Sequence, residues 1–345
     1  MEKFEEIIKL YDYNLPQDLI AQKPASPRDK AGLLVYKKNT DEVFFDKFFN
    51  IEKYLPKKAV LVFNETKVLP ARIILKKETG GKVEILYLQK RDDGLLEVLS
   101  DKKLNIGSKI YLNSKIIFEV IKQEEKIYLL KPLFAIEKLY EILEKYGSAP
   151  IPPYIKNSPL SKKELKEKYQ SIFAKYQGSV AAPTASLHFT KRVLDKIKKS
   201  GISVKFITLH VGLGTFAPLN EENFKTKKLH QEFYNINKQT ANFLNKAKKN
   251  GCPIIAVGTT VARTLESASK KGILKDLSGK TDIFISEGYK FDFVDGIVTN
   301  FHVPKSSLLM LISALIGKEK TFDLYQQAIN KKFKFYSFGD GMLII

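Results

Sequence analysis

Four histidines, His188, His210, His230 and His302, all stand in the second half of the chain. Three of them close uncharged or apolar stretches: "APTASLHF", "FITLHVG" and "VTNFHVP". A neutral imidazole titrates near physiological pH and suits general acid–base work. Three histidines ending strand- or loop-like segments point to one sheet edge, where α/β proteins bind ligands. A metal is the competing use. No His-Glu-x-x-His, no i,i+4 histidine pair and no cysteine cluster supports it, since Cys252 is the lone cysteine. No metal is expected.

Other chemistry gathers beside these stretches. "HVGLGTFAPL" places Gly212-x-Gly214 straight after a strand, with Thr215 following. Pro218 comes too soon for a dinucleotide-binding helix, so these glycines serve close backbone approach to a ligand, or simply a turn. "LSGKT" lacks the first glycine of a phosphate loop, because Leu274 occupies that position. In "VGTTVARTLES", Thr259 or Thr260 can cap a helix, and Arg263 and Glu266 share one of its faces. "VTNFHVPKSS" sets Asn300, His302, Lys305 and Ser306 around a strand-to-helix turn. Asp340 lies between two glycines in "FGDGMLII", a turn by its spacing.

The chain has 345 residues, 28% of them charged and 44% hydrophobic, with a formal net charge of +20. That length supports two domains. The charge favours a polyanionic partner through counterion release. Arginines occur only at 28, 72, 91, 192 and 263 among 58 basic residues. In so lysine-rich a chain an arginine marks a place that needs a planar fork. The run "LLMLISALI" is too short to span a bilayer, and "MEKFEEIIKL" has no secretory character, so a cytoplasmic protein is expected.

The elements that must position these groups can be read in order. A helix and an extended segment open the chain. "GLLVY" and "VFFDKF" flank a polar turn, a hairpin signal, and "AVLVFNET" is a buried strand. Short alternating strands from "RIILKK" to "KIYLLKP" predict a small antiparallel barrel. The helix "AIEKLYEILEKYG" stops at Gly147. A lysine-rich helix over "SKKELKEKYQSIFAKY" follows. Strands "VKFITLHV", "PIIAVGTT", "TDIFIS" and "GIVTNFHV" then alternate with helices at "TKRVLDKIKKSG", "KQTANFLNKAKKNG" and "VARTLESASKKG". The expected fold is α/β: a discontinuous α/β/α layered body (1–66 with 147–345) interrupted by a β-barrel insertion (67–146).

Taken together, "YDYNLPQDLIAQKPASPRD", "LVFNETKVLPARI", "APIPPYI", "YQSIFAKYQGSVAAPTASLHFT", "ITLHVGLGTFAPL", "VGTTVARTLES", "TDIFISEGYKF", "GIVTNFHVPKSSLLMLISAL" and "SFGDGMLI" resemble the S-adenosylmethionine:tRNA ribosyltransferase-isomerase family of queuosine biosynthesis. The resemblance covers nearly the whole chain and is weakest over the barrel. The sequence departs from the family pattern at Ser186, Gln231 and Glu287.

The resemblance implies transfer and isomerisation of the ribosyl moiety of S-adenosylmethionine onto 7-aminomethyl-7-deazaguanine at the tRNA wobble position. Epoxyqueuosine forms; adenine and methionine leave. S-adenosylmethionine is then a co-substrate, and a tRNA carrying the deazaguanine is the partner of a monomer that needs no membrane. The reaction needs a base for the C5′ hydrogen beside the sulfonium. His210 leads, with Glu232 and His188 as alternatives. Expected substrate contacts are Arg28, Asn64, Thr66, Arg72, Thr184, Gly212, Gly214, Thr215, Thr259, Thr260, Arg263, Glu266, Asn300, His302, Lys305, Ser306 and Asp340. A methyltransferase acting on RNA and a non-catalytic RNA-binding protein are the other classes.

Overall fold

The computed structural model describes residues 2–212 and 219–345. Helix α1 (Glu2–Lys9) precedes strands β1 (Gly32–Lys37), β2 (Glu42–Lys47), β3 (Val60–Asn64) and β4 (Thr66–Val68). Six strands follow: β5 (Arg72–Lys77), β6 (Lys82–Lys90), β7 (Leu96–Ser100), β8 (Lys109–Tyr111), β9 (Ile117–Glu124) and β10 (Ile127–Pro132). Then come α2 (Leu139–Tyr146), α3 (Lys162–Lys168), β11 (Tyr176–Ser179), α4 (Lys191–Lys199), β12 (Ser203–Leu209), α5 (Glu221–Thr226), β13 (Lys228–Asn235) and α6 (Lys238–Lys249). The chain continues through β14 (Ile254–Val257), α7 (Thr259–Ala268), β15 (Ser269–Lys270), β16 (Ile273–Leu274), β17 (Ser278–Ile283), β18 (Gly296–Asn300), α8 (Ser307–Ile316), α9 (Lys318–Asn330) and β19 (Gly341–Ile344).

The body is built on a nine-stranded sheet in the order β17-β13-β12-β3-β14-β18-β19-β1-β2. Its centre, β12-β3-β14-β18, is parallel. Strand β19 runs against β18 and along β1. The central strands are apolar on both faces because helices cover both. In β3, Val60 and Val62 pack with α6 to α9, while Leu61 and Phe63 pack with α4 and the 48–53 turn. This is the layered α/β/α body, and β1–β2 is the expected hairpin.

Strands β5 to β10 close into a six-stranded antiparallel barrel in the order β10-β7-β6-β5-β8-β9. Period-two alternation turns Ile73, Leu75, Val83, Ile85 and Val98 inward, and Leu139, Ile142 and Leu143 of α2 close it.

Two expectations need correction, and one strand was not foreseen. The lysine-rich helix ends at Lys168, well before "SIFAKY". Arg28 takes the carbonyls of Glu167, Lys168 and Gln170, and Gln170 turns away to clamp both backbone groups of Val68. The strand expected over "TDIFIS" runs from Ser278 to Ile283 instead, so "SGKT" is strand rather than a phosphate loop. Asp340 lies in a turn, but the residues after it form β19 inside the sheet.

Candidate active site

The parallel strands β3, β12, β14 and β18 all end on one edge of the sheet, and a cleft opens there. It is walled by the segment 182–185, by Val211 beyond β12, by Gly258, Thr259 and Thr260 at the start of α7, and by Thr299–Val303 beyond β18. Tyr154, Leu308, Tyr336 and Ser337 complete the lining. Gly258 turns the chain from β14 into α7 with φ +97°, a conformation that disfavours other residues. None of the described lining residues carries a formal charge at neutral pH, although the chain is 28% charged. Three of the lining residues, Tyr154, Phe301 and Tyr336, are aromatic.

The histidines divide. His302 lines the cleft, and its Nε2 lies 2.8 Å from Thr299 Oγ1. Burial drives its pKa down to about 3, so it is a neutral hydrogen-bonding group. His188 sits behind the wall, stacked on Phe48 with ring centroids 4.7 Å apart. Burial first, and Arg28 second, lower its pKa to about 4. Its Nε2 accepts from Asn300 Nδ2 at 3.1 Å. Asn300 lines the cleft, and its Oδ1 is buried with no partner, leaving an acceptor for a ligand. His230 is exposed on β13.

His210 adjoins the cleft through Val211 but does not line it. Its Nδ1 lies 2.9 Å from Thr66 Oγ1, which lies 2.7 Å from Ser179 Oγ. Ser179 in turn accepts the N–H of Val211 at 2.8 Å. Burial lowers the His210 pKa. Gly178 lets the ring come so close: its φ is +152°, and a Cβ there would stand 2.6 Å from His210 Nδ1. The bland glycine-to-serine start of "GSVAAPTASLHF" therefore seats one histidine, and its end buries another. Ser186 in the same stretch is fully buried, and its hydroxyl has no partner.

Glu232 is buried on β13, a strand the sequence pattern did not reveal because its apolar residues, Leu229, Phe233 and Tyr234, do not alternate and a carboxylate takes one inward position. Its Oε1 accepts Gly212 N at 2.9 Å, and its Oε2 accepts Arg263 Nη1 at 2.5 Å. Arg263 and Glu266 do not act as a pair. Glu266 accepts from Phe293 N and Val294 N on one oxygen and from Asp292 N and Tyr289 Oη on the other. It ties the 289–294 loop to α7. Thr259, Thr260 and Thr184, three of the expected contacts, line the cleft.

The remaining expected contacts lie elsewhere. Arg28 caps α3, and Arg72 pairs with Glu84 at 2.8 Å on the barrel. Asn64 clamps Leu209 by both backbone groups. Lys305 pairs with Asp12 at 2.8 Å, and Ser306 caps α8. Asp340 accepts from Gly32 N and Lys334 N, and burial raises its pKa. Gly214 and Thr215 lie outside the described residues. Among the described residues no group of three or more His, Cys, Asp or Glu is placed to hold a metal ion, and no helix is long and apolar enough to cross a membrane.

Comparison with known proteins gives this arrangement a family. The family described as queuosine biosynthesis protein matches residues 8–344. The S-adenosylmethionine:tRNA ribosyltransferase-isomerase of Thermoanaerobacter sp. (strain X514) is 46% identical over 96% of this chain and 98% of its own length. The protein of the same description from Clostridioides difficile (strain 630) is 42% identical over 97% and 98%. A crystal structure of an S-adenosylmethionine tRNA ribosyltransferase from Thermotoga maritima is 30% identical, with a TM-score of 0.56, covering 97% of this chain and all of that one. With the match running almost end to end, the chain belongs to the queuosine biosynthesis protein family, alongside relatives described as S-adenosylmethionine:tRNA ribosyltransferase-isomerases.

Proposed function

We infer that this chain is an S-adenosylmethionine:tRNA ribosyltransferase-isomerase of queuosine biosynthesis. The observation that carries the reading is the family match over residues 8–344. The uncharged, aromatic cleft at the ends of the parallel strands supports it. A sulfonium bears positive charge, and its adenine is a flat apolar ring; such a wall suits both. The tRNA acceptor carries 7-aminomethyl-7-deazaguanine in its anticodon, and the product is the epoxyqueuosine nucleoside. The net charge of +20 draws the polyanion to the enzyme. The enzyme works in the cytoplasm as a monomer and without a metal. The barrel, residues 67–146, forms a domain set into a body made of 1–66 and 147–345.

His210 is the proposed base for the C5′ hydrogen that the sulfonium acidifies. Glu232 has each oxygen engaged, and His188 is sealed behind Asn300. His210 is half-buried, and the hydroxyl of Thr66 fixes its Nδ1, so Nε2 is the nitrogen that exchanges a proton. Burial holds the ring neutral, the form a base requires. The direct test is mass spectrometry of tRNA bearing the deazaguanine after incubation with S-adenosylmethionine. A ribosyl-derived addition with free adenine and methionine is expected. A methyl addition would make the chain a methyltransferase, and an unchanged tRNA would leave only RNA binding.

A further inference from the structure

The ion pair between Glu232 and Arg263 leaves one edge of the guanidinium bare. Arg263 Nη1 meets Glu232, but Nε and Nη2 are buried and neither has a hydrogen-bond partner. The side chain is only 5% exposed, so water does not freely serve that edge. Nε–H and the outer N–H of Nη2 point the same way. Together they form the flat fork that matches the two oxygens of a carboxylate. Two dry donors on a cation cost more than almost any other unmade bond. An unpaired edge of this kind is a candidate contact for an anionic ligand.

Arg263 does not itself line the cleft, but its neighbours do. Arg263 stands one turn beyond Thr259 and Thr260, both of which line the cleft. Long side chains on a helix lean back toward its N-terminus, and the cleft is at the N-terminus of α7. Glu232, which holds the far side of the guanidinium, also holds Gly212 N, next to the lining residue Val211. Thr260 Oγ1 is a further buried group without a partner on the same helix.

We propose that the Nε–Nη2 edge of Arg263 binds the α-carboxylate of S-adenosylmethionine, in a two-point contact at the inner end of the cleft. The assignment rests on the co-substrate reading above and goes further, naming which group of that molecule is gripped and by which atoms. The carboxylate is the one anionic group of that molecule. The cleft wall offers it no cation, and Arg263 lies just behind that wall. Glu232 sets the plane of the guanidinium from its other side, which makes it a positioning residue.

Calorimetric titration of the intact chain with S-adenosylmethionine and with its decarboxylated analogue, each with and without substrate tRNA, tests this without any mutation. The wild type is expected to prefer the carboxylate-bearing ligand by at least about 10²-fold, because the analogue leaves the fork unpaired. The paired variant Arg263→Met with Glu232→Gln removes both charges together, so neither is stranded. It should bind the two ligands within about threefold of each other, through weaker binding of S-adenosylmethionine alone. Equal binding of both ligands by the wild type overturns the assignment and leaves the co-substrate reading standing. A preference that survives in the paired variant also overturns it. Failure of the wild type to bind either ligand overturns both.

Discussion

Inside the barrel, Ile73, Leu75, Val83, Ile85, Val98 and Leu130 fill the interior, and among its described residues no buried side chain except tyrosine bears a polar group. In the body, Asn64, Thr66, Ser179, Glu232, Arg263 and Asn300 are all buried. The two regions belong to one chain of one composition, so the difference is one of use. Polar burial costs stability unless it is paired. The barrel avoids that cost and keeps its ion pairs, such as Arg91–Glu124, on the surface. The body accepts it at one edge of its sheet, and several of the buried groups there still lack partners. The barrel is packed with apolar side chains, and the buried polar groups gather in the body.

The sharpest way to break that contrast is His210→Gln. Turnover should fall by roughly two to four orders of magnitude, while S-adenosylmethionine binding and the melting temperature stay near wild type. Near-normal turnover would move the proton transfer elsewhere in the body. The barrel should answer in the opposite manner. Leu130, fully buried in its core, should cost about 2–5 kcal/mol when cut to alanine, read as a lower urea midpoint. The folded variant should turn over as the wild type does; a loss of kcat in fully folded protein would show that the barrel shares in the chemistry.

Acid gives a third comparison, since the barrel has no histidine and the body buries two. His188 and His302 titrate at about 4 and about 3 in the fold, below the ordinary 6.5. Their neutral forms therefore support the fold fully above pH 6.5, and that support drains away as the pH falls toward 4 and then 3. Each contributes a slope of up to about 1.4 kcal/mol per pH unit in that window. Urea midpoints between pH 6 and 4.5 should fall in the wild type and fall less steeply in His302→Gln. A flat wild-type response would mean that neither ring is held neutral. The smallest effect is expected at α3, whose Lys166 pairs with Glu144 at the end of the barrel. Lys162 and Lys163 are exposed there. Changing both to glutamate should weaken tRNA binding and flatten its log–log salt dependence by about 1–2. An unchanged slope would place the RNA on another face.

The barrel was the more legible region, because alternation along "RIILKK" or "KVEILYLQ" is a local signal, and local pairing completes it. The body was legible where a strand is apolar throughout, as in β3, or where a helix has a regular stripe, as in α4. It was not legible at β13, whose polar residues face outward beside the buried Glu232, nor at β19, which glycines disguised as a turn. The site shows the same divide. Thr184, Thr259, Thr260, Asn300 and His302 could be found from small or polar residues clustered at strand ends. The parting of Arg263 from Glu266 could not, since each is claimed by a segment distant in sequence, Glu232 in one case and the 289–294 loop in the other. The caps formed by Arg28 and Ser306 used polar side chains for architecture, and nothing in their neighbours distinguishes that from binding.

The position of β19 between β18 and β1 also sets an order of events during synthesis. The barrel is a continuous piece of chain, and each of its strands pairs with partners made within a short interval. It can close as it leaves the ribosome. Strands β1 and β2 are among the first made, yet they join the sheet only through β19, one of the last. Until then the β1–β2 hairpin has an open edge and an apolar face with no partner, the kind of surface that chaperones recognise. By sequence order alone, the sheet is complete only when a four-residue strand takes its place between β18 and β1.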